Sequence, residues 1–337
     1  MKIRVVRESG GIGDVVRLFP VLDGLRAKYG EDAVIHFYGL AEYREFVKNH
    51  CAARVGYIVV PRHGRRQRNT PLDESKYAYL RKSVQYDLEV DMYCPAWAHE
   101  KETRGSVTKG RVQLFCEAAG VEPGPVVYHL TPAERAMGRR WIEALDVDPA
   151  RVVAVQPFAT HIARCWAREH WIALISALED MGFAPVVFDG CRGRVRDLTN
   201  RPGLPGIHEL ENPLTEVAWK LAACNWLIGV DSGLFHLASA VGTPALGIFG
   251  ATSGPLICEP YPRAKYITAE EPPDDAPPGC CPPCYAFRDR GYCETCRLTG
   301  CAVAKSVTPD AVLERFTSTY QPKEEYQCEE SSPSSSY

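Results

Sequence analysis

The stretch LIGVDSGLFHLASAVGTPALGIFGATSG, from Leu227 to Gly254, constrains the fold more than any other part of the chain. An apolar strand is expected over Leu227 to Val230, running straight into Asp231-Ser232-Gly233. A helical run follows, and a second apolar strand over Ala245 to Phe249 ends in Gly250. Strand, helix and strand in that order make a βαβ unit. In such a unit the carboxyl ends of the strands and the amino end of the helix share an edge, where N–H groups without intrahelical partners point outward and favour anions. A ligand carrying phosphates is expected there. Asp231 or Ser232 can cap the helix, Gly233 lets a ligand approach the backbone, and His236 falls one turn after Ser232 on the same face. A plain capped helix with a buried histidine would carry the same residues, so the stretch alone does not separate the two readings.

A second stretch matches it. Ile3 to Val6 is an apolar strand, and SGGIGDVVRLFPVLDGLRAKYG follows from Ser9, with Gly10, Gly11 and Gly13 ahead of a helix that Asp14 opens. The dinucleotide fingerprint G-x-G-x-x-G does not fit, because its third glycine would fall on Val16. Asp14 serves equally as a first-turn acid favoured by the helix dipole or as a reacting carboxylate.

Three segments, IGDVVRLFPVLDGLR near the amino terminus, Arg164-Cys165-Trp166 in mid-chain and DSGLFHLASAVGTPALGIFG, occur in an order that resembles the heptosyltransferases of glycosyltransferase family 9. The resemblance covers roughly residues 3 to 316. It implies an α/β chain of GT-B architecture: two Rossmann-like doubly wound domains facing across a cleft. The expected division is an acceptor-binding domain over 1–148, a donor-binding domain over 149–320 and a disordered tail over 321–337. The boundary rests on the polar, proline-bearing segment Asp146 to Ala150. The implied activity is inverting transfer of a heptose or related sugar from ADP-heptose, or a similar sugar nucleotide, to an acceptor hydroxyl on a glycolipid or protein. Asp14 would take the hydroxyl's proton. Thr160, Arg164 and the Asp231-Ser232-Gly233 helix terminus would stabilise the diphosphate, with His236 orienting or donating to it. Family members more often carry lysine where Arg164 stands, and an acidic residue after the glycine at 190; here Cys191, Arg192 and Gly193 follow, with Asp189 as the nearest carboxylate.

Composition agrees with that reading. A chain of 337 residues, 45% of them hydrophobic, can furnish two cores. A net charge of −3 argues against a protein that coats nucleic acid. The lack of any apolar run of about 18 residues argues against a membrane span, and a strand beginning at Met1-Lys2-Ile3 argues against a leader peptide, so a cytoplasmic protein is expected. A homo-oligomer is compatible with all of this.

Along the chain, strands are expected over Ala33 to Tyr38, Val55 to Val60 and Tyr86 to Asp91, with a helix over Ala41 to Asn49. Further helices are expected over Ser106 to Gly120 and Pro132 to Leu145. The second half repeats the alternation: strands at Val152 to Gln156 and Pro185 to Asp189, a helix over Leu214 to Cys224, continuation through Tyr261 to Ala269 and a closing helix over Pro309 to Tyr320. This alternation points to parallel sheets covered by helices. Arg62, Arg65, Arg66 and Arg68, four arginines within seven positions, form either a solvated loop or a clamp for an acidic acceptor; Gly11 and Gly13 share that acceptor side. Cys94, Trp97, His99 and Arg104 lie in a further candidate acceptor loop.

Fourteen cysteines need an account, since a cytosolic chain keeps thiols reduced. Cys281-x-x-Cys284 and Cys293-x-x-Cys296 have the spacing of tetrahedral metal knuckles, with Cys280 and Cys301 beside them. A structural zinc or iron on a cysteine finger over 280–301 is expected, and no metal is needed at the leaving group. Within the family, an autotransporter-modifying branch carries an iron-holding cysteine finger of this kind. Two other readings stay open: a nucleotide-sensing, metal-finger binding protein without transferase activity, and a GT-B sugar-nucleotide epimerase.

Overall fold

The computed structural model describes residues 1–7, 10–50, 55–60, 84–92, 95–96, 99, 103, 107–189, 206–208, 213–269, 271–274, 276, 280, 283 and 300–321. The first half is built on β1 (Lys2–Arg7), β2 (Val34–Gly39), β3 (Val55–Val59) and β4 (Leu88–Asp91), all parallel, in the order β3-β2-β1-β4. Helices α1 (Ile12–Val16), α2 (Phe19–Tyr29), α3 (Arg44–His50), α4 (Arg111–Ala119) and α5 (Pro132–Glu143) accompany it. The second half carries β5 (Val152–Gln156), β6 (Ala184–Asp189), β7 (Gly206–His208), β8 (Trp226–Val230), β9 (Ala245–Ile248) and β10 (Ala264–Ile267) in the order β10-β9-β8-β5-β6-β7, again parallel. Its helices are α6 (Arg168–Asp180), α7 (Leu214–Ala223), α8 (Gly233–Ala240), α9 (Gly254–Cys258), α10 (Ala302–Ser306) and α11 (Pro309–Thr319).

Local chemistry explains these elements. The central strands VVAVQ and WLIGV are buried at every residue, the pattern of a parallel strand covered on both faces. Helix α6 buries Trp171, Leu174, Ile175 and Leu178, one stripe at helical spacing. Thr131 and Glu134 close a reciprocal capping box at the start of α5.

Several expectations shift. The single helix expected after Asp14 is two, because Arg17 and Leu18 turn the chain and Pro20, which lacks an N–H, sits in the first turn of α2. Asp14 does not cap α1: the cap position is Gly11, with no side-chain hydrogen bond, and Asp14 is an acid of the first turn. The helix expected from Ser106 begins only at Arg111, and the one expected over Ala41 to Asn49 opens as a 3-10 turn, Ala41–Tyr43, before α3.

The polar segment expected as a boundary lies between the two sheets, with Asp148 capping a short 3-10 turn. Helix α5, which precedes it, packs on α7 of the second half. A Cβ on Gly138 would lie 2.8 Å from the Trp219 carbonyl oxygen, so this helix pair touches backbone to backbone. One apolar core therefore runs from Ile3, Phe19 and Phe115 through Val217 and Leu221 to Val152 and Leu227. A second core, with Trp171 and Phe316, fills the other face of the second sheet.

Candidate active site

Both sheets bring their ligand-facing edges to one place. In each, the strand order reverses beside the first strand: β1 between β2 and β4, and β5 between β6 and β8. Ligands of open α/β sheets bind beyond the strand carboxyl ends at such a reversal. Gln156 ends β5 and Asp231 follows β8, and Ser232 Oγ donates to Gln156 Oε1 at 2.6 Å across the gap. Ser232 also accepts from the Phe235 N–H, so it, and not Asp231, caps α8.

Asp231 is thereby left to face other groups. Its Oδ2 lies 3.5 Å from Arg164 Nη1 and its Oδ1 lies 3.6 Å from His236 Nε2. Burial works to raise this carboxyl, but Arg164, with His236 and Arg17 behind it, outweighs burial and holds it well below the usual carboxylate range. His236 is 1% exposed, and burial together with the charge of Arg17 pushes its imidazole down to about 4 despite Asp231. It is neutral at pH 7. Arg164 Nη2 also donates to Thr160 Oγ1 at 2.7 Å, which joins Thr160 to the same edge.

On the other side Asp14 sits among three guanidinium groups: Arg7 at 2.9 Å, Arg17 at 3.0 Å and Arg111 at 2.9 Å. Burial alone would raise Asp14; the arginines overcome it and hold the carboxyl far below its ordinary value. Arg7 is buried and also donates to the Met92 carbonyl oxygen, so it is anchored behind the carboxylate.

The two helix amino termini meet directly. A Cβ on Gly233 would come 1.9 Å from Ile12 Cγ2, and one on Gly13 would come 2.6 Å from His236 Cδ2. Gly13, expected on the acceptor side, thus packs against His236, expected on the donor side. A Cβ on Gly11 would meet nothing within 4 Å.

A cavity of about 500 Å³ opens beside this junction, within the roughly 300–1,000 Å³ typical of small-ligand sites. Its walls hold Arg17, Lys109 and Arg111 from the first half, and Arg164, Asp231, Thr252 and Ser253 from the second. Four cations against Asp231 and Glu259 favour an anionic ligand, while Pro123, Pro125, Pro260, Pro262, Leu256 and Ile257 supply an apolar wall.

The remaining candidates fall elsewhere. Arg62, Arg65, Arg66, Arg68, Cys94, Trp97 and Arg104 lie outside the described residues, as do Cys281, Cys284, Cys293 and Cys296. Strand β6 ends at Asp189, and residues 190–205 also lie outside. No group of three metal-ligating side chains occurs among the described residues. Cys301 is buried in a small cluster with Ala163, Ala251, Val303 and Ala304, and Cys280 packs against that cluster, so the two ends of the cysteine-rich segment meet beside the loop that carries Arg164. Sequence reasoning missed Arg7, Arg17, Arg111 and Tyr261. The i, i+3 spacing of Asp14 and Arg17 was a usable signal.

Two doubly wound sheets that present their ligand edges to one cavity define a GT-B glycosyltransferase architecture. The profile of glycosyltransferase family 9 (heptosyltransferase) matches residues 74–274, well over half of the chain, and the chain belongs to that family. Lipopolysaccharide heptosyltransferase 3 of Escherichia coli is 32% identical over 130 residues, which is 36% of this chain and 37% of that protein, so the match spans under two fifths of its curated relative. Among solved structures, E. coli ADP-heptose lipopolysaccharide heptosyltransferase II superposes with a TM-score of 0.64 at 18% identity, covering 95% of this chain and 98% of that one. The bacterial iron-containing dodecameric glycosyltransferase TibC of enterotoxigenic E. coli H10407 superposes with a TM-score of 0.63 at 16% identity, over 94% of this chain and 75% of that one. No helix among the described residues is long and apolar enough to cross a membrane.

Proposed function

We propose that the chain transfers a heptose, or a related sugar, from ADP-heptose or a similar sugar nucleotide to an acceptor hydroxyl, with inversion. The observation that carries this reading is the cavity in which Arg164 and Asp231 of one half face Arg17 and Arg111 of the other, with Asp14 behind them. The diphosphate of the donor takes Thr160, Arg164 and the backbone at Ser232 and Gly233, whose N–H groups favour anions. Those donors stabilise the charge that builds on the leaving diphosphate as the anomeric bond breaks. Asp14 accepts the proton of the attacking hydroxyl.

A carboxylate held by three guanidinium groups is a weak base. Arg17 and Arg111 both line the cavity, whereas the anchored Arg7 does not. An acidic acceptor competes with Asp14 for those two, and each guanidinium drawn away makes Asp14 more basic. Charge and orientation are then set by substrate binding. The arginine-rich segment 62–68 remains the proposed partner of an acidic glycolipid or protein acceptor.

A structural zinc or iron on Cys281, Cys284, Cys293 and Cys296, with Cys301 beside them, completes the reading. The meeting of Cys280 and Cys301 on one cluster supports a closed finger, and TibC is described as iron-containing. Cys281, Cys284, Cys293 and Cys296 would hold the metal, which would supply a structural clamp and no part of the transfer chemistry. Protein purified under reducing conditions is expected to carry about one equivalent of zinc or iron. Elemental analysis finding neither removes the metal.

The donor assignment is tested by melting the full chain with ADP-, GDP- and UDP-sugars, since a ligand held only by the folded state raises its stability. ADP-heptose is expected to give the largest shift. Stabilisation by UDP- or GDP-sugars alone contradicts it.

A further inference from the structure

Asp231 lines the cavity and His236 lies buried behind it, with Nε2 3.6 Å from Asp231 Oδ1; the histidine is held from its other side by a residue to which the proposed function gives no role. Tyr261 stands between Pro260 and Pro262, both of which line the cavity, while its own side chain turns inward and is 2% exposed. The prolines fix the backbone on either side of it. Two further bonds hold the turn: the Tyr261 N–H donates to the Cys258 carbonyl oxygen at 2.9 Å, and the Ala264 N–H donates to the Tyr261 carbonyl oxygen at 3.0 Å. From this rigid turn the hydroxyl reaches His236 Nδ1 at 2.9 Å.

We propose that Tyr261 is a positioning residue: its hydroxyl donates to Nδ1 of His236 and fixes the imidazole as the Nε2–H tautomer, an N–H donor for an anionic oxygen seated beside Asp231. The inference rests on reading that edge as the diphosphate site.

The geometry leaves one consistent arrangement. A neutral imidazole carries its proton on one nitrogen only. Were it on Nδ1, Tyr261 would have to accept and its own buried O–H would lose its acceptor. The bare Nε2 would then face the Asp231 carboxylate, lone pair against lone pair. With the proton on Nε2 both conflicts vanish. Burial pushes the Tyr261 hydroxyl well above its ordinary value, so it keeps its proton to donate.

Nε2 is buried without a hydrogen-bond partner, because Asp231 at 3.6 Å is too distant. Such a group costs free energy until a partner arrives. The ring cannot swing to find one: Gly13 closes on its Cδ2 edge, and the Tyr261 ring lies 5.6 Å away centroid to centroid on the other. A ligand oxygen entering beside Asp231 meets a donor already aimed. The other charges facing the ring are Arg17 and Asp14, and they act on its protonation without touching Nδ1.

The test uses the full chain with ¹⁵N-labelled histidine, His236 being assigned through His236→Gln. The wild type is expected to show a protonated Nε2 and a bare, hydrogen-bonded Nδ1. In Tyr261→Phe the proton is no longer held on Nε2, and the Nδ1 signal moves toward that of a protonated nitrogen. The ADP dissociation constant rises about tenfold, the size of one hydrogen bond to a charged oxygen. Adding Tyr261→Phe to His236→Gln costs nothing further. A proton on Nδ1 in the wild type overturns the proposal, as does a Tyr261→Phe variant with unchanged ADP affinity. Failure of ADP to bind the wild type overturns instead the reading of the edge, and the ¹⁵N spectrum still decides the tautomer.

Discussion

In the proposed mechanism Asp14 takes the proton, and its surroundings make that role testable at a single residue. Its carboxyl is depressed by Arg7, Arg17 and Arg111 against the pull of burial. A depressed carboxyl contributes stability that is fully present above its unfolded value near 4 and is lost as pH falls through the lower folded value. Removing one guanidinium reverses part of that. Arg111→Ala therefore raises the Asp14 pKa, so the loss of stability as pH falls below about 4 should be shallower than in the wild type. Melting temperatures that fall with pH in parallel for the two proteins would remove Arg111 from the groups that hold Asp14. Little of this cage was legible beforehand. Asp14 and Arg17 are three residues apart in sequence, but Arg111 lies 97 residues away, and its meeting with Asp14 depends on packing that no local pattern encodes.

At the scale of elements, the molecule is organised by two helix amino termini that abut. Glycines at 13 and 233 permit this, and the reason is space and not backbone conformation, since neither has a positive φ. Gly233→Ala places a methyl group on Ile12, and overpacking of this sort costs about 1–3 kcal/mol. The variant should melt several degrees lower, and ADP binding should weaken as α1 and α8 move apart. A variant with unchanged melting temperature and ADP affinity would show that the contact yields without cost. Here the sequence reading was partly sound. Val230 to Phe249 is a strand, helix and strand as expected, because the apolar runs are long and the turn chemistry at Asp231-Ser232-Gly233 is explicit. The approach of Gly13 to His236 was not legible, because a glycine's partner across a cleft leaves no trace in its neighbours. The short strand β7 and helix α9 were missed for a related reason: three and five residues are too few to show a period.

The whole molecule is two parallel sheets whose strand orders reverse toward one cavity. Alternating apolar and amphipathic segments made that architecture legible, and the three family segments placed it. What the sequence hid is continuity. Helix α5 leaves the first half to pack on α7, so a single core joins the sheets, and the polar residues 146–150 interrupt the chain without interrupting the packing. The cavity is defined by both halves together, which ties its chemistry to their relative placement.

The most direct test of the account is Asp14→Asn in the full chain, measured for sugar transfer from ADP-heptose, ADP affinity and melting temperature. The substitution keeps the shape but removes the charge that three guanidinium groups share, so a lower melting temperature is expected, and measurements are made where circular dichroism shows the fold intact. Transfer should fall by about 10²–10⁴-fold, the usual contribution of a positioned general base. ADP affinity, which the proposed reading assigns to Thr160, Arg164 and the α8 terminus, should stay within about twofold. A folded variant that still transfers sugar at more than about a tenth of the wild-type rate would contradict the assignment of Asp14 as the base.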